Sequence, residues 1–413
     1  MADNYDNILW IPEEAGMSSK NLSCIDDVME RAIREKVMKG MVTLVARHGK
    51  VVQFKAYGKA DGEKPMERDA VFRLASMSKT IGGAALMQLF DQGKVMMSDP
   101  ITDYLPDFRD MKVFDPDAPG QLADADREIT IHDLLTMTAG IVSIQSAETG
   151  HPGCVYCAEE YRKAGIIDTM HPLNKTLGEV VEQLAFMPLA SQPGSRWEYS
   201  NLTSLVVGRI VEIVSGLDLQ TYLDQNIFGP LGMKETCFFP DKSAWSRIPA
   251  VYACGSMERL DGLDVPGTDT TRLAFADCKK YYNIAAGLHG TVYDYFHFAQ
   301  MLCRKGELNG RRILSPNAVH LMTQNHIGGQ RTRLYGHGWG YMMNVQVDYN
   351  TVFNYMGIGS YGWHGYWGSV YNVWPEKDLV AIMISQVSPV GPSWKPQERF
   401  LNVAANSILP DSY

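Results

Sequence analysis

No apolar run in the sequence approaches the roughly 20 residues that a helix needs to cross a bilayer, so no transmembrane segment is expected. The opening residues, "MADNYDNILWIPEEAG", lack the cationic start and apolar stretch of an export signal. Positive charge is scarce. Thirty-eight lysines and arginines face 47 carboxylates, the net charge is −9, and no basic run exceeds the pairs Lys279-Lys280 and Arg311-Arg312. Such a chain offers no electrostatic footprint to nucleic acid or to an anionic membrane. The seven cysteines form no regular framework, and without an export signal they read as reduced thiols of a soluble, cytoplasmic protein. The ten histidines include no HExxH and the serines no GxSxG, which removes the zincin and α/β-hydrolase patterns. No internal repeat or low-complexity tract is present.

What is there is a globular composition, 45% hydrophobic and 21% charged over 413 residues, enough for two ordinary domains or for one domain with an insertion. Residues 19–37 carry Leu22, Ile25, Val28, Met29 and Ile33 at helical spacing. "MVTLVARHG" and "KVVQFKAYG" then read as a hairpin. "TIGGAALMQLFDQGKV" repeats apolar residues every 3.6 positions, with Ile81, Ala84, Ala85, Leu89 and Phe90 on one stripe and Gly93 as the stop. From about residue 98 to 280, strand signals fade and helical pieces such as "TIHDLLTMTAG" and "NLTSLVVGRIVEIVSG" alternate with Pro/Gly-rich loops. β character returns in "GWGYMMNVQV", "YGWHGYWGSVYNVWP" and "LVAIMISQV", and a helix, "KPQERFLNVAANSIL", closes the chain. The expected fold is α+β: an antiparallel sheet flanked by terminal helices, residues 1–97 with 281–413, and an inserted, mostly helical domain over 98–280.

Ser76-Met77-Ser78-Lys79 holds the only serine followed by lysine at the third position. A serine hydroxyl needs a neighbouring base to become a nucleophile, and positions three apart share a helix face. The start of a helix also supplies free N–H groups and the positive end of the dipole, both of which favour an alkoxide and a later oxyanion. Taken alone, the tetrapeptide reads equally as an N-cap serine with a surface lysine.

Two further stretches bear on that choice. Tyr199-Ser200-Asn201 follows "QPGSRWE" and opens an amphipathic helix, so a phenol and an amide project from rigid backbone. A phenol becomes a usable base where a lysine ammonium stabilises its phenolate, and Asn201 can hydrogen-bond that lysine or the substrate. Trp363-His364-Gly365 lies in a β-rich run. There a glycine lets the backbone pass close to substrate, and the N–H of Tyr366 can join that of Ser76 as an oxyanion hole.

In this order, Ser76-Met77-Ser78-Lys79, Tyr199-Ser200-Asn201 and Trp363-His364-Gly365 resemble the SxxK, YxN and (K/H/W)-x-G boxes of the serine β-lactamase and penicillin-binding superfamily. The nearest resemblance is to the class C branch and to the family VIII carboxylesterases, over roughly residues 20 to 405; "ITIHDLLTMTAGI" and "FGPLGMKETCF" are similar to segments between the same boxes. The resemblance implies a class C β-lactamase-like fold and an acyl-enzyme on Ser76, with Lys79 and Tyr199 moving its proton and Asn201, Trp363, His364 and Gly365 binding substrate. No metal or cofactor and no macromolecular partner is implied, and the oligomeric state stays open.

Where β-lactamases and DD-peptidases carry a KTG lysine for the substrate carboxylate, this chain has Trp363. Losing that charge-assisted contact costs about 1.5–3 kcal/mol, one to two orders of magnitude in affinity. An aromatic mouth of Tyr361, Trp363, Tyr366 and Trp367, at least two of which are expected to pack the sheet, suits an uncharged ester better. β-Lactamase, D-amino-acid peptidase and acyltransferase remain the alternatives on the same machinery. Gly357 to Gly362 spells GxGxxG but leads into β-rich sequence, so the dinucleotide reading fails. Cys154-Val155-Tyr156-Cys157 has no second CxxC, which leaves a structural metal unsupported.

Overall fold

A computed structural model describes residues 5–118, 120–166, 175–260, 281–330, 332, 336–348, 356–388 and 395–410. Cys278 and part of the 143–175 loop lie outside the described residues. The centre of the fold is an eight-stranded sheet drawn from both ends of the chain. Its strands are β1 (Gly40–Arg47), β2 (Lys50–Asp61), β3 (Lys64–Pro65), β4 (His337–Trp339), β5 (Asn344–Gln346), β6 (Tyr361–Gly365), β7 (Ser369–Trp374) and β8 (Leu379–Ser385). The order is β4-β5-β6-β7-β8-β1-β2-β3, antiparallel at every pairing. The hairpin β1–β2 turns through His48 (φ 53°) and Gly49 (φ 74°), the two successive positive φ values that match strand twist in a tight turn.

Alternation along β1 divides the core. Met41 and Val45 face a cluster with Ile25 and Met29 of helix α1 (Cys24–Arg34) and with Phe400 and Leu401 of the closing helix (Pro396–Asn406). Val42, Leu44 and Ala46 face the larger cluster that includes Tyr295, Phe298 and Leu302 of the helix Val292–Cys303. The terminal helices therefore cover one face of the sheet, as expected.

The apolar stripe from Ile81 to Phe90 belongs to the helix α2 (Ser78–Asp91), which is buried on all sides down to Leu89. Its glycines allow this, because a Cβ on Gly82 would meet Ile284 Cγ1 at 2.5 Å and one on Gly83 would meet Met342 Cβ at 3.1 Å. The β-rich run "GWGYMMNVQV" contributes to two strands. Met342 sits at φ 62°, its N–H bonded to Leu135 O at 3.0 Å and its carbonyl accepting from Thr80 Oγ1 at 3.2 Å, and the run folds back into β4 and β5. The segment 144–163 holds the 3₁₀ turn Ile144–Thr149 and the helix Pro152–Lys163.

Candidate active site

Ser76 sits in a 3₁₀ turn, Ala75–Met77, that leads directly into α2. The residue before it, Ala75, has φ 47°, a left-handed conformation that costs a non-glycine residue roughly 1–2 kcal/mol. Its surroundings hold it there: Leu74 N–H bonds Leu288 O at 2.8 Å, and Ala75 is packed against Val251 and Trp367. Strain held in this way presents Ser76, half-buried, at the head of the helix.

One turn along, the Lys79 ammonium is buried (1% exposed) and its three N–H bonds have three acceptors. They are Ser76 Oγ at 3.1 Å, Asn201 Oδ1 at 2.8 Å and the Ala285 carbonyl at 2.7 Å. Ala285 is held by an Asx turn, in which Asn283 Oδ1 accepts from the N–H groups of Ala285 and Ala286 at 3.0 and 3.1 Å. Asn201 opens the helix Asn201–Ser215, capped by Ser200, whose Oγ accepts from Thr203 N–H. The Asn201 N–H bonds Ser143 Oγ at 2.8 Å. Of the three acceptors, Ala285 is fixed by its own local turn and Asn201 by its helix start and the Ser143 hydroxyl.

Tyr199 lies between the lysine and the sheet. Lys79 Nζ stands 4.9 Å from its ring centroid, and its hydroxyl oxygen accepts from Trp363 Nε1 at 3.1 Å. Tyr199, Trp363 and Trp339 form a tight aromatic group, with centroids 5.2 Å apart for Tyr199–Trp363 and 4.6 Å for Trp339–Trp363. Trp197 packs edge-on against Trp339. β6 carries Trp363 past the turn that holds Ser76, and a Cβ on Gly365 would lie 3.0 Å from Leu74 O. A side chain there would crowd the Leu74 carbonyl, so glycine eases that approach, and Tyr366 follows at the strand end, 52% exposed.

The structure therefore brings Ser76, Lys79, Tyr199, Asn201, Trp363 and Gly365 together. Half-buried His364 has its pKa pushed down to about 4 by desolvation, and by His337 and Lys395, so near neutrality this strand brings no cation to the site. Arg196, three residues before Tyr199, lies 3.6 Å from the Glu198 carboxylate. Of the four expected mouth aromatics, Tyr361 and Trp367 are each 2% exposed and belong to the core; Trp363 and Tyr366 are accessible. Trp339, Ser143 and the Ala285 carbonyl went unnoticed in the sequence, and none carries a local pattern that would single it out.

The remaining motifs do not enter this site. Cys154 and Cys157 are buried free thiols on the helix Pro152–Lys163, with pKa raised by desolvation to about 11 for Cys154 and further for Cys157. Gly357 to Gly362 leads into β6, not into a helix. Among the described residues no helix is long and apolar enough to cross a membrane.

Fold and boxes have a counterpart among known proteins: the Beta-lactamase family matches residues 25–406. The chain belongs to the Beta-lactamase family. It is 31% identical to protein Rv1367c of Mycobacterium tuberculosis over 372 residues, 86% of this chain and 87% of that one. It is 29% identical to esterase EstB of Burkholderia gladioli over 383 residues, 89% and 91% of the two chains. The solved structure of EstCE1, described as a hydrolase with promiscuous acyltransferase activity, superposes with TM-score 0.79 at 27% identity, covering 94% of this chain and 99% of that one. The α+β fold is that of the family's serine hydrolases.

Proposed function

We propose that this member of the Beta-lactamase family is a serine carboxylesterase of the family VIII type, acting on small to medium, largely uncharged esters through an acyl-enzyme. One observation carries the reading: the position that holds a lysine in the KTG box is Trp363, whose neutral N–H donates to the Tyr199 hydroxyl oxygen at 3.1 Å. The phenol keeps a donor for its phenolate form, while a substrate carboxylate finds no cation on this strand. Similarity to EstB and EstCE1 supports the same substrate class.

In this mechanism the Ser76 Oγ proton passes to the Lys79–Tyr199 pair as Oγ attacks the ester carbonyl. The Lys79 ammonium, with all its donors engaged, is arranged to stabilise the forming alkoxide, so the proton acceptor in this step is Tyr199 in its phenolate form, which becomes the phenol. The oxyanion accepts from the backbone N–H groups of Ser76 and Tyr366. Tyr199 then protonates the leaving alcohol, the C–O bond breaks, and a water deprotonated by Tyr199 releases the acid and restores Ser76. No metal or organic cofactor enters these steps.

The test is turnover of p-nitrophenyl acetate, butyrate and octanoate beside a chromogenic cephalosporin, wild type against Ser76→Ala. Ester turnover falling by roughly 10⁴-fold in the variant, with weak cephalosporin turnover, supports the esterase. Strong cephalosporin turnover makes the protein a β-lactamase, and ester turnover surviving in Ser76→Ala removes the serine mechanism. A second reading, acyl transfer to an alcohol, is favoured by the similarity to EstCE1. Added benzyl alcohol would then divert the acyl group into benzyl ester at a yield exceeding its mole fraction against water.

A further inference from the structure

Three buried hydroxyls stand behind the turn that holds Ser76. Tyr371 of β7, Tyr295 of the helix Val292–Cys303 and Thr80 of α2 are each 0% exposed. Thr80 Oγ1 donates to the Met342 carbonyl at 3.2 Å, and Tyr371 Oη lies 2.8 Å from Thr80 Oγ1. A carbonyl can only accept, so the single Thr80 proton is committed to Met342 and Tyr371 is the donor to Thr80. Tyr295 Oη donates to the Met77 carbonyl at 3.0 Å, and its ring packs 4.9 Å from that of Tyr371. Desolvation holds both phenols well above the ordinary phenol value, so each keeps the proton it donates.

These bonds end on chain that carries the site. Met77 directly follows Ser76, and Thr80 directly follows Lys79. Met342 Sδ lies 3.8 Å from Ser204 Oγ, one turn along the helix that Asn201 opens. Tyr371 is also the direct cross-strand partner of Trp363, whose indole donates to Tyr199. One strand pair therefore reaches α2 through Tyr371 and Tyr199 through Trp363. Tyr371→Phe would fill the same space, so what the hydroxyl adds is a directed bond, and a fully paired buried network of this kind specifies one geometry.

We infer that Tyr371, acting through Thr80, is a positioning residue that sets Ser76 and Lys79 at working distance from Tyr199. The inference rests on the acyl-enzyme reading and adds to it the sheet behind the site. Displacing reacting groups by about 1 Å can lower a rate about 100-fold, so loss of one buried tether should appear in the rate of acylation and not in substrate binding.

The test is single turnovers of p-nitrophenyl butyrate with enzyme in excess, in which release of p-nitrophenolate reads acylation of Ser76. In Tyr371→Phe the saturating rate should fall about tenfold, with half-saturation unchanged to within about twofold. Thr80→Val should lose about as much, and Thr80→Ser, which keeps the hydroxyl, should stay near the wild-type rate. Combining Tyr371→Phe with Thr80→Val should be no slower than the slower single variant, because both break one tether. Tyr161→Phe is the control. That phenol is 1% exposed and donates to the Pro188 carbonyl at 3.0 Å, away from Ser76, so its loss should lower stability in urea and leave the acylation rate unchanged. A wild-type rate in Tyr371→Phe, or an equal fall in Tyr161→Phe, overturns the inference alone. Release that persists in Ser76→Ala overturns the acyl-enzyme reading and the inference with it. Should Tyr371→Phe fail to fold, the comparison of Thr80→Val with Thr80→Ser still decides.

Discussion

The indole N–H of Trp363 donates to the hydroxyl oxygen of Tyr199 at 3.1 Å, and the two rings lie 5.2 Å apart at 43°. A neutral donor therefore meets the phenol oxygen, while Lys79 Nζ stands 4.9 Å from the ring centroid. Trp363→Phe keeps the ring and removes the donor. Because a hydrogen bond to a charged oxygen contributes about 1.5–3 kcal/mol, kcat on p-nitrophenyl butyrate should fall about 10- to 100-fold with little change in KM. Trp363→Lys restores a cation, and the ratio of cephalosporin to ester kcat/KM should rise at least tenfold. An unchanged ratio would mean that this position does not select substrate charge.

Asn201 Oδ1 is one of the three acceptors of the Lys79 ammonium, at 2.8 Å. Asn201→Ala leaves a buried ammonium one partner short and free to swing from Ser76. The expected result is a fall in kcat of about 10- to 100-fold, read from single-turnover acylation of Ser76. Acylation at the wild-type rate would show that the lysine is held without Asn201.

At Gly365 a Cβ would lie 3.0 Å from Leu74 O and 3.0 Å from Ser369 Cβ. Backbone cannot yield as a flexible side chain can, so Gly365→Ala should push β6 off the turn that holds Ser76. The unfolding free energy should drop by about 1–3 kcal/mol in urea titration, and kcat/KM should fall at least tenfold. Loss of stability without loss of activity would separate the strand from the oxyanion site.

His289 is buried, and its pKa is lowered from 6.5 to about 3 by desolvation and by the neighbouring Arg73. Between those two values the unfolded chain binds a proton that the native state refuses, so stability rises with pH across this window and is lost on acidification. From pH 6.5 to 4.5 this one residue should remove about 2 kcal/mol. His289→Gln should flatten the dependence measured by urea titration at the two pH values; an equally steep loss would place the acid sensitivity elsewhere.

Much of the site was legible because its parts are local. Ser76 and Lys79 are one helical turn apart, Tyr199 and Asn201 flank an N-cap, and a glycine two residues after Trp363 marks a close backbone approach. What was illegible depends on distant chain. Tyr361, Trp363, Tyr366 and Trp367 look alike in a β-rich run, yet Tyr361 and Trp367 are core and the others accessible, because burial is decided by what packs against each face. Trp339 reaches Tyr199 only because Met342, bonded to Leu135 and Thr80, folds one apolar run into two strands.

The sequence by itself determined the period-2 and period-3.6 elements, their caps and turns, and the candidate site residues placed at helix starts, since these follow from spacing and backbone chemistry over a few residues. Only the tertiary structure decided that Lys79 is held by Asn201 and the Ala285 carbonyl, that Tyr199 receives a neutral donor, and that α2 is buried on every side. These are contacts across more than 100 residues of chain, such as the 122 that separate Lys79 from Asn201. Their free energy comes from packing and desolvation, which exist only once the whole core has closed.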